Sequence, residues 1–493
     1  MTGLSAKRRN STVFGDDRRE AGPLSERAAL FFLLTTVVVA PFPYGAITRG
    51  GTLTLEILAF ATTAATFVGR PRLAPLAGVW IPISAILAII LLGVAQVIPL
   101  PDSALWRISP VSAQIYGDAA RVLGLFRHAA PAARISIAPA ETIDTILLTS
   151  SYLSLFVSSA LLLRTRRRRR LFVAVLLGGA ALHVLIATVT SDETSAGRLH
   201  GAFVNSNHFA GYLQIMLAVA FGALWREVLF SRDRGRQLPE PTKRLETRLL
   251  HIAPLVLLWA IFAAAIALTK SRGGILVASV STAVMLSAAL SHRRIRNRRL
   301  SIAVAGGATI AAGASVVILA VRQQPILRFL ASDPRDPGSD LRLTLWRLSI
   351  DAWRQFPLAG SGLGTYREAF RRIQPRGFDY YVEFAHSDPL QLLVTGGLAG
   401  FILGAIAFAA LSIALASSWR REEHREESAF LLAGIGALFA LTLHGLVEFN
   451  MSIPAIPATL AAVLGFAWTA GAHEKAERAE KLTAPVAAPP VGG

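Results

Sequence analysis

The amino-acid sequence predicts an all-α, polytopic membrane protein with about twelve transmembrane helices and a long external loop that contains amphipathic helices. The first observation is composition: 53% of the 493 residues are hydrophobic and 16% are charged, whereas about 25% of an average soluble chain is charged. The second is the recurrence of apolar runs about 20 residues long, which cross roughly 30 Å of hydrocarbon as helices. The chain contains no cysteine, which excludes disulfide frameworks, thiolate nucleophiles and cysteine-ligated metals.

Twelve apolar runs are candidate spans. They lie at residues 28–47, 52–69, 75–98, 142–163, 171–190, 208–225, 249–268, 275–290, 300–321, 398–417, 428–447 and 454–471. The first run has the position of a signal peptide, but it is too long and continues into Pro41-Phe42-Pro43 without a small-residue cleavage site. We therefore expect a retained first span.

The basic residues predict the orientation of these helices. Segments on the side of the two termini hold 32 of the 50 Lys and Arg residues, and such an excess marks the cytoplasmic side. Both termini are therefore predicted to be cytoplasmic.

A net charge of +19 and a pI near 11.2 are typical of nucleic-acid binding in a soluble chain. Because +17 of that charge lies in the predicted cytoplasmic segments, it is a topology signal and no nucleic-acid partner is expected.

This topology divides the chain into five regions. They are a basic cytoplasmic tail (1–27), spans one to nine (28–321) with an external loop at 101–140, a long external loop (322–397), spans ten to twelve (398–471) and a disordered cytoplasmic tail (472–493). The long loop is rich in aromatic residues, which indicates a folded core. Within it, the apolar positions of 341–353 predict an amphipathic helix that ends before Phe356-Pro357 and lies near the outer leaflet.

The first polar cluster on the predicted external side joins spans five and six and contains Arg198, Asn205, Asn207 and His208. Asn205 or Asn207 fits the N-cap of the following helix, whose free N–H groups and dipole favour an anion. Arg198 adds a guanidinium suited to phosphate. In the alternative interpretation the asparagines only cap the helix and Arg198 contacts lipid headgroups.

The second cluster is the turn between spans seven and eight, with Lys270 and Arg272 before a Gly-Gly pair that lets a ligand approach the backbone. These two cations oppose the inside-positive pattern, which indicates a lipid-linked phosphate outside, although ordinary snorkelling explains them equally well.

The third cluster closes the long loop. There His386 is placed to accept a proton from a sugar hydroxyl, with Asp388 or Glu383 as candidates to orient it, unless this histidine is incidental.

The fourth cluster is His444 with Glu448, four residues apart near the outer end of span eleven, where the two side chains are predicted to share a helix face. Ionisable groups at this depth are candidates for function, although a structural role is as good an interpretation. Two ligands do not make a zinc site, so no metal is expected.

Five short motifs, in this order, resemble those of the bacterial O-antigen ligase and O-antigen polymerase superfamily. They are Gln96-Val97-Ile98-Pro99-Leu100-Pro101, Gly201-Ala202-Phe203-Val204-Asn205-Ser206-Asn207-His208, Ser271-Arg272-Gly273-Gly274, Gly360-Ser361-Gly362-Leu363-Gly364-Thr365-Tyr366 and Ala385-His386-Ser387-Asp388. The resemblance covers roughly residues 90 to 470. The commonest family pattern has Asn-Pro-Asn and His-Asn where this chain has Asn205-Ser206-Asn207 and His386-Ser387-Asp388.

The resemblance implies a metal-independent GT-C-like glycosyltransferase of the bacterial inner membrane, without a cofactor and with a periplasmic active site. The donor would be a glycan on undecaprenyl pyrophosphate, and the acceptor another glycan or the lipid A core, with a chain-length regulator as a further partner. By correspondence of motifs, Arg198 and Arg272 would hold the pyrophosphate and His386 would activate the acceptor hydroxyl. Asn205, Asn207, His208, Lys270, Asp388, His444 and Glu448 are the accompanying candidates for substrate binding.

Two other functions remain open from the sequence. Twelve spans with cytoplasmic termini are also a common plan for a solute transporter, although transporters usually bind substrate near the membrane midplane. A non-catalytic membrane scaffold would make the external polar residues dispensable.

Overall fold

The computed structural model describes residues 23–125, 131–190, 197–235, 241–290, 341–376, 378, 381–421 and 427–483. Within this part of the chain the regular elements are helices. We number the α-helices in chain order: α1 Leu24–Val39, α2 Arg49–Val68, α3 Trp80–Val97, α4 Asp102–Ile108, α5 Pro110–Leu125, α6 Pro139–Leu162, α7 Arg166–Thr190, α8 Ser206–Gly235, α9 Pro241–Leu268, α10 Arg272–Leu290, α11 Arg342–Gln355, α12 Tyr366–Ile373, α13 Asp388–Arg421, α14 Glu427–Gly445 and α15 Ala455–Thr483.

Nine helical segments of the described chain are long and apolar enough to cross a membrane. They are Arg49–Val68, Ala74–Val97, Pro139–Leu162, Arg166–Thr190, Ser206–Val228, Leu249–Leu268, Arg272–Leu290, Asp388–Arg421 and Ser428–Gly445. Each corresponds to a predicted span, which confirms an all-helical, polytopic membrane protein. The predicted span at 300–321 lies outside the described residues, and the total of twelve spans and the GT-C-like arrangement stay predictions.

The other two predicted spans are shorter in the structure. Helix α1 ends at Val39 and a 3₁₀ turn follows at Tyr44–Ala46, so the prediction of a helix to residue 47 is wrong. Pro41 and Pro43 explain the end, because proline lacks an N–H donor and its ring clashes with the preceding turn. In α15 the apolar part is Ala455–Ala470.

Two further helix boundaries also differ from the prediction. Helix α15 continues to Thr483, so residues 472–483, predicted as a disordered tail, are helical. The Ala, Glu and Lys residues of this stretch are strong helix formers. At the other boundary, α13 begins at Asp388 rather than near 398, with a non-helical residue at Gly397. Residues 1–22 and 484–493 lie outside the described residues.

The basic segments predicted to share one side of the membrane meet in the structure. Arg168 pairs with Glu26 at the start of α1, and Arg164 donates to the carbonyl of Arg72 across 2.6 Å. Trp468 Nε1 donates to the carbonyl of Pro75 across 2.7 Å. The start of α1, the end of α6, the start of α7 and the end of the apolar part of α15 therefore gather at one end of the bundle, away from the polar motifs.

The long loop forms a small folded unit on the opposite end. Helix α11 matches the amphipathic helix predicted at 341–353, and it buries Leu345, Ser349 and Ala352. Leu345 and Ala352 pack with Tyr366 and Phe370 of α12 in a separate hydrophobic cluster, and the Ser349 hydroxyl lies 2.7 Å from that of Tyr366. The aromatic content of the loop therefore makes a core, as the sequence predicts for this stretch. The part of the loop before residue 341 lies outside the described residues.

One buried side chain connects this unit to the membrane helices through hydrogen bonds. Gln96, at the end of α3, donates through Nε2 to the carbonyls of Ala359 (2.6 Å) and Thr395 (3.1 Å). Its Oε1 accepts from the backbone N–H of Leu363 at 2.9 Å. Two of the five family-like motifs are thereby joined, because Gln96 satisfies backbone groups of the turn that the glycine-rich motif forms.

Candidate active site

Glu448 is the centre of the polar cluster at the loop end of the bundle. Its side chain is 2% exposed. Oε1 accepts from Asn207 Nδ2 across 2.6 Å and also pairs with Arg342. Oε2 lies 3.3 Å from Nδ1 of His386. The structure therefore brings together one residue from each of the first, third and fourth polar clusters of the sequence, with Arg342 added from α11.

The chain leaves the helix before it reaches Glu448. Helix α14 ends at Gly445, where the Asp388 carboxylate comes so close that a Cβ atom would lie 2.5 Å from its Oδ2. The prediction that His444 and Glu448 share a helix face is therefore wrong. His444 is buried and its Nδ1 lies 3.3 Å from Oε1 of Gln214, whereas Glu448 turns towards the loop.

The electrostatics of the cluster keep Glu448 ionised. Burial by itself raises the pKa of this carboxyl group, but the hydrogen bond from His386 and the positive charge of Arg342 lower it to about 2. A carboxylate only accepts hydrogen bonds, so the proton on His386 is assigned to Nδ1. Its Nε2 is then the basic nitrogen.

His386 is held in an unusual backbone conformation. Its φ angle is 48°, a region that non-glycine residues seldom occupy and that clusters at functional sites. The carbonyl of His386 accepts from Trp346 Nε1 at 3.2 Å, and the ring stands edge-on to Phe449 with centroids 4.7 Å apart. The side chain remains 32% exposed, so a substrate can reach it.

Glu448 orients this histidine, and the two carboxylates proposed from the sequence do not. Asp388 accepts instead from the backbone N–H of Met451 at 3.1 Å. Glu383 lies 4.0 Å from Arg367. The prediction that Asp388 or Glu383 orients His386 is therefore wrong, because both residues are engaged elsewhere and the histidine turns towards the bundle.

Asn205 and Asn207 have different roles in the structure: one caps helix α8 and the other contacts charged side chains. Helix α8 begins at Ser206, and Oδ1 of Asn205 accepts from the N–H of Asn207 at 2.8 Å, so Asn205 is the N-cap. Asn207 Oδ1 accepts from Arg198 Nη2 at 3.1 Å, and Arg198 Nε donates to the carbonyl of Thr269 at 3.1 Å. Asn207 therefore connects Arg198 to Glu448.

The turn that accepts from Arg198 also carries the other two predicted cations. Lys270 and Arg272 are exposed, and Lys270 has a φ angle of 51°. Arg272 is the first residue of α10. The structure thus places Arg198 beside the turn with Lys270 and Arg272, and the contact between Arg198 and Thr269 joins the first and second clusters of the sequence.

His208 and His444 lie inside the bundle, where neither reaches a surface. His208 is 3% exposed and His444 is 0% exposed. His208 Nδ1 lies 3.2 Å from Oδ1 of Asn450, and its ring contacts the edge of Phe449 with centroids 4.4 Å apart. Their predicted part in substrate binding stays a prediction, and the contacts observed are with protein groups.

Sequence reasoning missed Arg342, Gln214 and Asn450. Arg342 sits among several arginines of the long loop, and nothing in its spacing separates it from Arg347 or Arg354. Gln214 and Asn450 are single amides in apolar surroundings, which is a signal of buried hydrogen bonding. In the described part of the chain no group of three His, Asp or Glu residues is placed to hold a metal ion.

Comparison with known proteins gives one family match. Residues 255–405 match the family model described as O-antigen ligase. The match confirms the resemblance to the O-antigen ligase and polymerase superfamily and contains Arg272 and His386, whereas Arg198, Asn207 and Glu448 lie outside it. No curated protein matches the chain.

Proposed function

We propose that this protein moves a glycan from undecaprenyl pyrophosphate to an acceptor hydroxyl on the periplasmic face of a bacterial inner membrane. The family match implies a glycosyl-transferring membrane protein of O-antigen ligase type. The observation that carries the finer proposal is the contact between His386 Nδ1 and the buried, ionised Glu448. A histidine oriented by a carboxylate and exposed on its other side is a general base.

In the proposed reaction the acceptor hydroxyl gives its proton to Nε2 of His386. The hydroxyl oxygen forms a bond to the anomeric carbon of the donor glycan, and the bond from that carbon to the pyrophosphate oxygen breaks. Undecaprenyl pyrophosphate leaves with the electron pair. Glu448 stabilises the imidazolium that forms, so the positive charge that the proton brings to His386 is balanced by this carboxylate.

The charge that develops on the departing pyrophosphate needs cations. Arg198, Lys270 and Arg272 lie on adjoining segments, and Arg198 donates to the neutral oxygens of Thr269 and Asn207. A guanidinium that is not neutralised by a carboxylate keeps its charge for a phosphate. We assign these three residues to the pyrophosphate, with electrostatic stabilisation as the main contribution to the rate.

The setting of this reaction is part of the proposal. Both termini are cytoplasmic, the loop end of the bundle is periplasmic, and the acceptor is either the lipid A core, as for a ligase, or another glycan, as for a polymerase. A chain-length regulator is the natural protein partner of a polymerase. Deletion of the gene distinguishes the two reactions: full-length polymer left on the lipid carrier indicates a ligase, and single repeat units indicate a polymerase.

Alanine substitutions test the proposed residues. Arg272→Ala and His386→Ala are expected to abolish glycan transfer and to cause lipid-linked glycan to accumulate in cells, at normal protein levels. Arg354→Ala is the matched control, since Arg354 is an exposed residue of α11 that pairs with Asp351. Normal polymer in either test variant would refute the proposal. Solute uptake by reconstituted vesicles without glycan transfer would instead indicate a transporter.

A further inference from the structure

An exposed patch beside the site has the chemistry of a sugar-binding surface. It is built on α12, which buries Tyr366, Ala369 and Phe370 on one face. Arg367 and Arg371, four residues apart, lie on the other face, because residues at this spacing are neighbours on a helix surface. Both arginines contact Tyr381, whose side chain is 65% exposed.

The contacts fix the orientation of the tyrosine ring. Arg371 Cζ lies 5.4 Å from the ring centroid of Tyr381, and Arg367 Nη1 donates to its hydroxyl group across 3.3 Å. Arg367 Nε also donates to Glu368 at 2.8 Å. An exposed aromatic ring usually has several orientations, so a ring held on its face and at its hydroxyl is preorganised to receive a ligand.

The charge of this patch distinguishes it from the cations assigned to pyrophosphate. Arg367 lies 3.5 Å from Glu141 and 4.0 Å from Glu383, in addition to its contact with Glu368. Three carboxylates therefore surround one guanidinium, which disfavours a phosphate or an anionic lipid headgroup. Carboxylates accept from sugar hydroxyls, guanidinium groups donate to them, and the apolar face of a pyranose packs on an aromatic ring.

The chain leads from this patch to the proposed base. Residues 381–385 lie outside the helices, with Tyr381 and Glu383 exposed and with Val382 and Ala385 packed against the hydrophobic cluster of the loop unit. Tyr381 and His386 are five positions apart, so their Cα atoms lie at most about 17 Å from each other. That span fits a short stretch of an oligosaccharide whose terminal hydroxyl reaches His386.

We propose that Tyr381, with Arg367, Arg371 and Glu383, binds sugar residues of the acceptor glycan and so positions its terminal hydroxyl at His386. This inference rests on the proposed function, because it takes His386 as the residue that receives the acceptor. It identifies the acceptor as an uncharged or amino-bearing oligosaccharide rather than a phosphorylated one, since the patch has more carboxylates than guanidinium groups.

Binding of defined oligosaccharides to the full-length protein in lipid nanodiscs tests the proposal. The probes are the core oligosaccharide and the repeat-unit oligosaccharide, each released by mild acid from cells that lack the gene. Wild-type protein is expected to bind one of the two. Tyr381→Ala is expected to weaken that binding about tenfold, whereas Tyr381→Phe retains the ring and most of the affinity.

Controls separate this outcome from others. Trp106→Ala removes an exposed aromatic side chain of α4 and is expected to bind like wild type. Unchanged affinity in Tyr381→Ala, or binding of neither oligosaccharide, would overturn the proposal. So would a loss of co-purified phosphatidylglycerol in Tyr381→Ala with unchanged oligosaccharide binding, which would indicate a lipid site. Retained transfer in His386→Ala would refute the proposed function while leaving a positive binding result intact.

Discussion

Replacement of Glu448 by glutamine is the sharpest test of the carboxylate that orients His386. The change keeps the size of the side chain and removes its charge. Glutamine can still contact Asn207 and Arg342, but it no longer stabilises a protonated His386. The expected result is a slower transfer reaction with little change in the amount of folded protein.

The size of the effect follows from the environment of the carboxyl group. Its pKa falls from the usual 4.5 to about 2, and each unit corresponds to about 1.4 kcal/mol, so the surroundings favour the ionised form by about 3 kcal/mol. The side chain is 2% exposed, so solvent screens little of this. Because His386 shares the attraction with Arg342 and His208, we expect the rate to fall about 10- to 100-fold.

The assay is glycan transfer in proteoliposomes supplied with lipid-linked glycan and acceptor extracted from cells that lack the gene. Asp351→Asn is the matched control, since Asp351 is a 51% exposed carboxylate on α11, and this variant is expected to retain wild-type activity. Glu448→Gln with more than half of the wild-type rate would refute the role assigned to this carboxylate.

Three further predictions concern stability and pH. Gln96→Leu removes three hydrogen bonds to backbone groups and is expected to destabilise the protein by about 3 kcal/mol, measured as a lower Tm in detergent, with exposed Gln114→Leu as control. Gly397→Ala is expected to lower the Tm and the yield, because φ is +63° and a Cβ would lie 2.3 Å from the carbonyl oxygen of Leu358, whereas Gly178→Ala has open space and is expected to be neutral or stabilising. The folded-state pKa of Glu448 is lowered, so the stabilising contribution of this carboxylate is complete above pH 4.5 and is lost as the pH falls towards about 2. The Tm difference between wild type and Glu448→Gln should therefore be constant above pH 5 and shrink below 4.5. A Tm difference that stays constant down to pH 3 would contradict this prediction.

Hydropathy predicted most of the helices because the bilayer imposes a simple rule. A backbone in hydrocarbon must satisfy its hydrogen bonds internally, so a long apolar run is a helix whatever its neighbours are. The rule failed where local chemistry interrupts a run, as at Pro41 and Pro43, or where a helix continues into polar sequence, as at the end of α15. Periodicity was likewise sufficient for α11, because the spacing of its apolar residues predicts an amphipathic helix.

The candidate site was predicted in part. His386, Arg198, Arg272 and Asn207 stand out because polar groups beside apolar spans are unusual and because short motifs accompany them. Arg342 could not be found in this way, since an arginine on an amphipathic helix has many equivalents in the loop. The partner of His386 was misassigned to nearby residues, because sequence distance was the only available guide.

The sequence by itself determined an all-helical membrane protein, the side-by-side grouping of its basic segments and a short set of polar residues at the other end. Those features depend on composition and spacing, which are local. Only the tertiary structure decided that the chain leaves helix α14 at Gly445, so that Glu448 contacts His386, Asn207 and Arg342. Residues separated by 62, 241 and 106 positions meet there, and such contacts depend on how the helices pack around a buried charge that needs partners.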